Sequence, residues 1–149
     1  MKQEQFWKTT PLSEMSREQW ESLCDGCGRC CLRKILFEDT GEVSYTRVVC
    51  RHLDLVSCRC TCYDQRAELM PECLVLTPGN LPQALHLLPE TCSYRVLADG
   101  RDLPWWHPLV NEDPDTVHPA CISIHNHMVS EVKVRTEDLE DYVIDWVCT

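Results

Sequence analysis

Cys24-Asp25-Gly26-Cys27-Gly28-Arg29-Cys30-Cys31 puts four thiols and two glycines into eight residues, and its reading decides what kind of fold the chain can have. Sulfurs at that density either oxidise to one another or bind metal. Cys24 and Cys27 stand at the Cys-x-x-Cys spacing with which two thiolates grip one ion. Gly26 and Gly28 allow the positive-φ turns that aim backbone N–H groups at sulfur. Cys30 and Cys31 are neighbours, and adjacent side chains reach one ion only through a strained small ring. One of the two is therefore expected to serve a second metal, a second cluster or the core.

The surrounding composition separates the metal reading from the disulfide reading. Twelve cysteines in 149 residues approach the density at which staples of one kind or the other are expected. The run Met1-Lys2-Gln3-Glu4-Gln5-Phe6-Trp7-Lys8 lacks the apolar stretch of a signal peptide, and nothing in the sequence approaches a membrane span. A cytoplasmic protein is the expectation, and thiols there stay reduced, which favours metal ligation over bridges. A formal charge of −10 argues against a broad nucleic-acid surface, which needs clustered Lys and Arg. The length fits one domain with a real core.

N-terminal to the cluster, residues 1–15 read as an irregular arm, with Phe6, Trp7, Pro11 and Leu12 available to tack it down. Ser16-Arg17-Glu18-Gln19 matches a capping box, and Trp20, Leu23 and Cys24 fall on one face of the helix it would start. On the other side, Leu32, Ile35, Leu36 and Phe37 suggest a short helix ending in a turn at 38–41, and 42–49 a strand. Residues 50–73 hold Cys50, Cys58, Cys60, Cys62 and Cys73 with little periodicity, the pattern of loops held by ligands. Metal binding supplies folding free energy on the order of 10 kcal/mol in small zinc peptides, so 24–73 is expected to be disordered without metal.

Further on, 73–77 suggests a short strand, 81–88 partial helix, and 91–98 a helix stopped by Asp99-Gly100. Residues 103–109, punctuated by Pro104 and Pro108, read as an extended aromatic lid on the core. Asn111 to Asp115 is an acidic turn, and Ile122, Ile124 and 128–134 suggest two short strands. Thr136 is placed to cap a terminal helix whose stripe is Leu139, Tyr142, Val143, Trp146 and Val147. The whole is expected to be a small, irregular, loop-rich α+β domain built around a cysteine metal site, with short strands and a C-terminal helix. Its parts are the arm 1–15, a cysteine-rich metal-binding core 16–98 and a C-terminal extension 99–149.

Candidate ligands are Cys24, Cys27, Cys30 and Cys31 in the cluster, and Cys50, Cys58, Cys60, Cys73 and Cys92 around it. Tetrahedral zinc and an iron–sulfur cluster each take about four thiolates, so nine cysteines suffice for two sites or for one with accessory thiols. Cys62 faces the same side as Cys60 in an extended segment and elsewhere if a turn intervenes. Cys121 and Cys148 read as core or surface thiols. His107, His118, His125 and His127 come close together in sequence, and His125-Asn126-His127 in a strand would put both imidazoles on one side, the basis of a second, histidine site.

These residues resemble a known family. Cys24-x-x-Cys27-x-x-Cys30-Cys31, followed by Cys50-Arg51-His52-Leu53-Asp54 and Cys60-x-x-Tyr63-x-x-Arg66 ahead of Cys73, is similar to the zinc- or iron-chelating domain family named for its CxxCxxCC core. The stretch 20–28, with Cys58-x-Cys60 and Thr91-Cys92-x-Tyr94-Arg95, resembles its YcgN-like branch of uncharacterised bacterial proteins. The resemblance implies Cys24, Cys27, Cys30, Cys31, Cys50, Cys60 and Cys73 as ligands, and a bacterial, cytoplasmic setting.

Two classes of function follow. One is a metal-binding protein whose thiolate zinc or iron–sulfur site organises the fold, with a protein partner conceivable. The other is a redox or metal-dependent enzyme working through an iron–sulfur cluster near His52, Tyr63 or Arg66. A zinc-ribbon nucleic-acid module conflicts with the charge.

Overall fold

A computed structural model describes residues 5–71 and 73–147 of the chain. Its N-terminal half is seeded by the capping box. Gln19 N–H donates to Ser16 Oγ at 3.1 Å, while Gln19 Oε1 accepts Ser16 N–H at 3.0 Å. Helix α2 (Arg17–Ser22) is thereby fixed at its start. It follows α1 (Phe6–Thr9), which buries Trp7 and ties the indole Nε1 to Asp102 Oδ1 at 3.1 Å. α2 in turn lays Trp20 on Tyr94, ring centroids 4.7 Å apart, and brings in the fully buried Leu23. Leu81, Leu88 and Leu103 complete this first core.

The helices that face it are short. α4 (Leu81–Ala84) begins where Thr77 and Asn80 exchange side-chain-to-backbone bonds and Pro82 occupies the first turn. α5 (Ser93–Ala98) stops at Gly100, whose φ of +77° is the expected helix exit. α3 (Arg66–Leu69) and α6 (Pro108–Asn111) are single turns.

A second core lies under a small sheet. β1 (Leu32–Leu36) pairs antiparallel with β2 (Val43–Val49), with Leu36 opposite Val43 and a bulge between Leu32 and Lys34. β3 (Val129–Ser130) pairs parallel with β2, so the order is β1-β2-β3. Leu32, Tyr45, Val49, Leu53, Ile124 and Val147 pack beneath it. Tyr45 Oη reaches across to Leu87 O at 2.5 Å and joins the two cores. The molecule is α+β, as the sequence implies.

Several expectations are corrected. The arm carries α1 and a 3₁₀ turn at Leu12–Glu14, and 103–109 is not extended throughout, since the chain turns at Trp105 and Trp106 and Pro108 opens α6. The stretch after Cys31 is β1 rather than a helix: apolar residues at 32, 35 and 36 satisfy either period over so short a span, and the turn at 37–42 folds the chain back onto the β-branched β2. Residues 73–77 form no strand, because their carbonyls are taken by side chains: Val75 O by Asn80 Nδ2 at 2.8 Å, Leu76 O by Trp20 Nε1 at 3.0 Å. Ile122 and Ile124 lie in irregular chain, and of 128–134 only Val129–Ser130 is strand. The terminal helix is a 3₁₀ helix, Thr136–Tyr142, after which Val143 bridges to Thr46 and Ile144 N–H donates to Tyr45 O at 2.9 Å. Pairing with β2 captures the end of the apolar stripe. The residue before that helix is Arg135, whose Nε donates to Asp138 Oδ2 at 2.8 Å, so Thr136 is its first residue and not its cap. Among the described residues no helix is long and apolar enough to cross a membrane.

Candidate metal centre

The loop 24–31 runs from the end of α2 to the start of β1, between the two cores. His107 holds its entry. The fully buried imidazole donates from Nε2 to Leu23 O at 2.7 Å and accepts Leu109 N–H at Nδ1, 3.0 Å away. Both ring nitrogens are thus committed in the neutral tautomer, and burial pushes the ring's pKa down. Asp25, also buried, accepts Cys27 N–H at 3.0 Å and a long 3.4 Å bond from Trp106 Nε1. The aromatic segment 103–109 therefore clamps the loop as well as covering the first core.

Gly26 and Gly28 have φ of +76° and +75°. A Cβ at Gly28 would meet Cys58 Sγ at 2.8 Å and Ile124 Cγ1 at 3.0 Å, so the loop passes too close to the second core for any side chain there. The turns aim donors at sulfur as the glycines suggest: Gly26 N–H serves Cys24, and Arg29 N–H lies 3.5 Å from Cys27 Sγ. Arg29 itself is buried, donating to Ile122 O at 2.6 Å and Thr91 Oγ1 at 3.2 Å and stacking on Trp146. This side chain pins residue 91, beside Cys92, to the cysteine loop.

The thiols fall into two neighbourhoods. Cys24, Cys27 and Cys92 stand outside the cavity that gathers the other set. Burial first, then Cys30 and Asp25, pushes Cys24 up to about 12 and Cys27 well above the ordinary thiol. Cys92 is pushed up to about 11, chiefly by burial. Cys24 and Cys30 are exposed. Beside Cys92, the hydroxyl of Ser93 is buried and has no hydrogen-bond partner among the described residues.

The other neighbourhood is a cavity of about 310 Å³ onto which Cys30, Cys31, Cys50, Cys60, Cys62 and Cys73 open. Cys60 and Cys62 bring their sulfurs to 3.8 Å. Cys31 S–H donates to Cys30, which holds Cys30 low and Cys31 high. Arg33, Lys34, His52 and Arg66 share the lining. Cations gathered around thiols in a chain of charge −10 offset the negative charge that bound thiolates carry.

The loops explain the convergence. Cys50 ends the β2 pairing through its N–H to Cys31 O at 3.1 Å. Leu53 bridges to Cys60, folding 50–60 back on itself. Cys58, at φ +61°, is the exception: its side chain turns into the second core against Ile124 and Cys27 O, away from the cavity. Cys62, which spacing alone leaves undecided, faces the cavity with Cys60. The expected histidine pair separates: His125 lies tilted against His118 at 5.1 Å and His127 meets Trp146 edge-on at 5.8 Å, because Asn126 at φ +70° makes a turn where a strand was expected. Cys121 is exposed, and Cys148 lies outside the described residues. The eleven described cysteines are free thiols. Among the described residues no three potential ligands stand close enough to grip an ion together.

The donor set suits a soft, thiolate-bound metal, since sulfur surrounds the site and the buried carboxylate of Asp25 is already bonded to Cys27 N–H and Trp106. Residues 23–93 match the family described as "putative zinc- or iron-chelating domain", which gives the class of protein this loop defines. Similarity to whole proteins runs further. The chain is 51% identical over 144 residues to a UPF0260 protein of Rhizobium etli, covering 97% of this chain and 90% of that one. It is 54% identical over 142 residues to one of Cellvibrio japonicus, 95% and 96% covered. The chain belongs to the UPF0260 family. No solved structure matches it.

Proposed function

We propose that the protein is a cytoplasmic metal-binding protein in which zinc or an iron–sulfur cluster, held by thiolates from Cys24, Cys27, Cys30, Cys31, Cys50, Cys60, Cys73 and Cys92, organises the fold. The observation that carries this reading is the gathering of thiols from four separate stretches of chain around one loop, with cations beside them. A divalent ion on four cysteinates has a net charge of −2, which Lys34 and Arg66 are placed to offset. Cys58 is the candidate that this reading sets aside, because its sulfur packs in the core.

Cobalt provides the test. Reduced, metal-free protein titrated with Co²⁺ is expected to develop intense thiolate-to-cobalt charge-transfer absorption with tetrahedral ligand-field bands. Cobalt that keeps its aqueous octahedral spectrum would contradict the reading.

A second reading, a redox enzyme built on an iron–sulfur cluster, has one observation in its favour. Arg66 lines both the thiol cavity and an adjoining groove of about 710 Å³ beside Trp20, Glu21 and Tyr63. There Arg66 stacks on Tyr63 at 3.8 Å, and Tyr63 Oη donates to Glu21. A bound metal that proves redox-silent and saturated by protein thiolates would remove this reading.

A further inference from the structure

The thiolate set proposed above leaves out Cys62, and the local fold argues for including it. Cys60-Thr61-Cys62 follows directly on the bridge between Leu53 and Cys60. The exposed Thr61 is anchored twice to His52 O, by its N–H and by its Oγ1, each at 2.8 Å. Cys62 O then accepts Gln65 N–H at 2.9 Å as the chain enters the next turn. With the middle residue tied back in this way, the thiols on either side of it both open onto the cavity that Cys31, Cys50 and Cys73 also line. Their sulfurs stand 3.8 Å apart. We propose that Cys60 and Cys62 together clamp one metal atom, with the remaining sulfurs drawn from Cys31, Cys50 and Cys73 across the same cavity. The inference rests on the thiolate reading above and adds to it one ligand and the metal atom that two of the sulfurs share.

The first support is the separation itself. Two sulfurs bonded at about 2.3 Å to one tetrahedral metal lie about 3.8 Å apart, so the pair already spans one edge of such a site. In a four-iron cluster each iron takes a single protein thiolate. A pair this close suits a zinc or iron ion instead, or one iron of a two-iron cluster. The second support is the placement of the pair. Cys58 stands at the same spacing on the other side of Cys60, yet its φ of +61° sends its sulfur into the second core, so spacing alone does not single out Cys62. Across the cavity, Cys50 N–H is tied to Cys31 O at 3.1 Å, which holds those two residues side by side. Lys34 and Arg66 share the lining and offset the charge that a further thiolate adds. Because no three potential ligands among the described residues stand within reach of one ion, the opposite wall has to close on the Cys60–Cys62 edge as metal enters.

Trypsin isolates the pair for a test, since cleavage after Arg59 and Arg66 releases residues 60–66 with Cys60 and Cys62 as their thiols. Reduced full-length protein is loaded with zinc, treated with N-ethylmaleimide and then digested. The 60–66 peptide is expected unlabelled from the zinc-loaded protein and doubly labelled after chelation. Label on Cys62 in the loaded protein, with other cysteines protected, would overturn the proposal and leave the thiolate reading standing. Labelling of every cysteine in the presence of zinc would sink both. Cobalt supplies a reading that burial of Cys62 does not imitate. C60S and C62S are each expected to lose about a quarter of the thiolate-to-cobalt charge-transfer intensity, and C121S, which removes an exposed thiol outside the cavity, none. Full intensity in C62S would equally overturn the proposal. Should C62S fail to fold, labelling of the wild-type chain decides alone.

Discussion

Gly28 is the residue whose backbone the site can least change. Its left-handed φ costs an L side chain about 1–2 kcal/mol, and the Cβ contact with Cys58 Sγ at 2.8 Å adds an overpacking penalty of about 1–3 kcal/mol. Gly28→Ala should therefore lower the melting temperature of the metal-loaded protein well beyond Gly41→Ala. Gly41 has a similar φ of +72° but nothing near its Cβ; equal effects would show that the close approach to Cys58 is wrong. The sequence marks Gly28 as a turn residue, but its contact with Cys58, thirty residues away in the chain, becomes visible only when both are placed. The same is true of Cys58 itself: spacing makes it a ligand candidate, and a positive φ turns it inward. His107 carries the pH dependence at this scale. Burial lowers its folded pKa below the ordinary value of about 6.5. Its contribution is therefore complete above the unfolded pKa and is lost as pH falls toward the folded one. Thermal melts of wild type should weaken below about pH 6.5 more steeply than those of His107→Gln; parallel profiles would remove the imidazole from that role.

Elements with their own local signal were legible, and elements that need a partner were not. The capping box at Ser16 and the glycine exit of α5 are contained within a few residues, and both form where the sequence puts them. β1 needed β2 beside it, and the end of the chain needed Tyr45 and Thr46 to draw it out of helix. Trp20 is the test of the helical side, since it joins α2 to Tyr94 by its ring and to Leu76 O by its indole N–H. Trp20→Ala should cost about 3–5 kcal/mol in denaturant unfolding, whereas a loss within 1 kcal/mol would mean that the first core does not depend on it. On the sheet side, Glu131 accepts from Arg33 at 2.6 Å and from Arg51 at 2.8 Å. Burial would raise its carboxyl, but the hydrogen bonds from Arg51 and Arg33 outweigh that and hold it below the usual range. Glu131→Gln should loosen the link between β3 and the strands that lead to Cys31 and Cys50, seen as faster amide exchange at Val129 and Ser130. Unchanged exchange there would assign those contacts to the surface alone.

For the whole molecule, the two cores differ in how much they owe to metal. The first is built from interlocked aromatic and leucine side chains; the second borders loops 50–73, which have little regular structure and leave Leu55, Val56, Tyr63 and Leu69 exposed. Chelation under reducing conditions should expose 50–73 to proteolysis before the segments carrying Trp20 and Tyr94, and simultaneous loss of both would make the fold a single metal-dependent unit. The cysteine loop was legible because its spacing is local. The partition of the outlying thiols was not, because it depends on turns at residues 53–62 and on where α5 docks. Metal itself is the central claim, and quantifying zinc, iron and acid-labile sulfide per chain in protein purified without air tests it most directly. Zinc, or iron with matching sulfide, in at least stoichiometric amount is the predicted result; folded protein with neither metal and every thiol open to alkylation would contradict it.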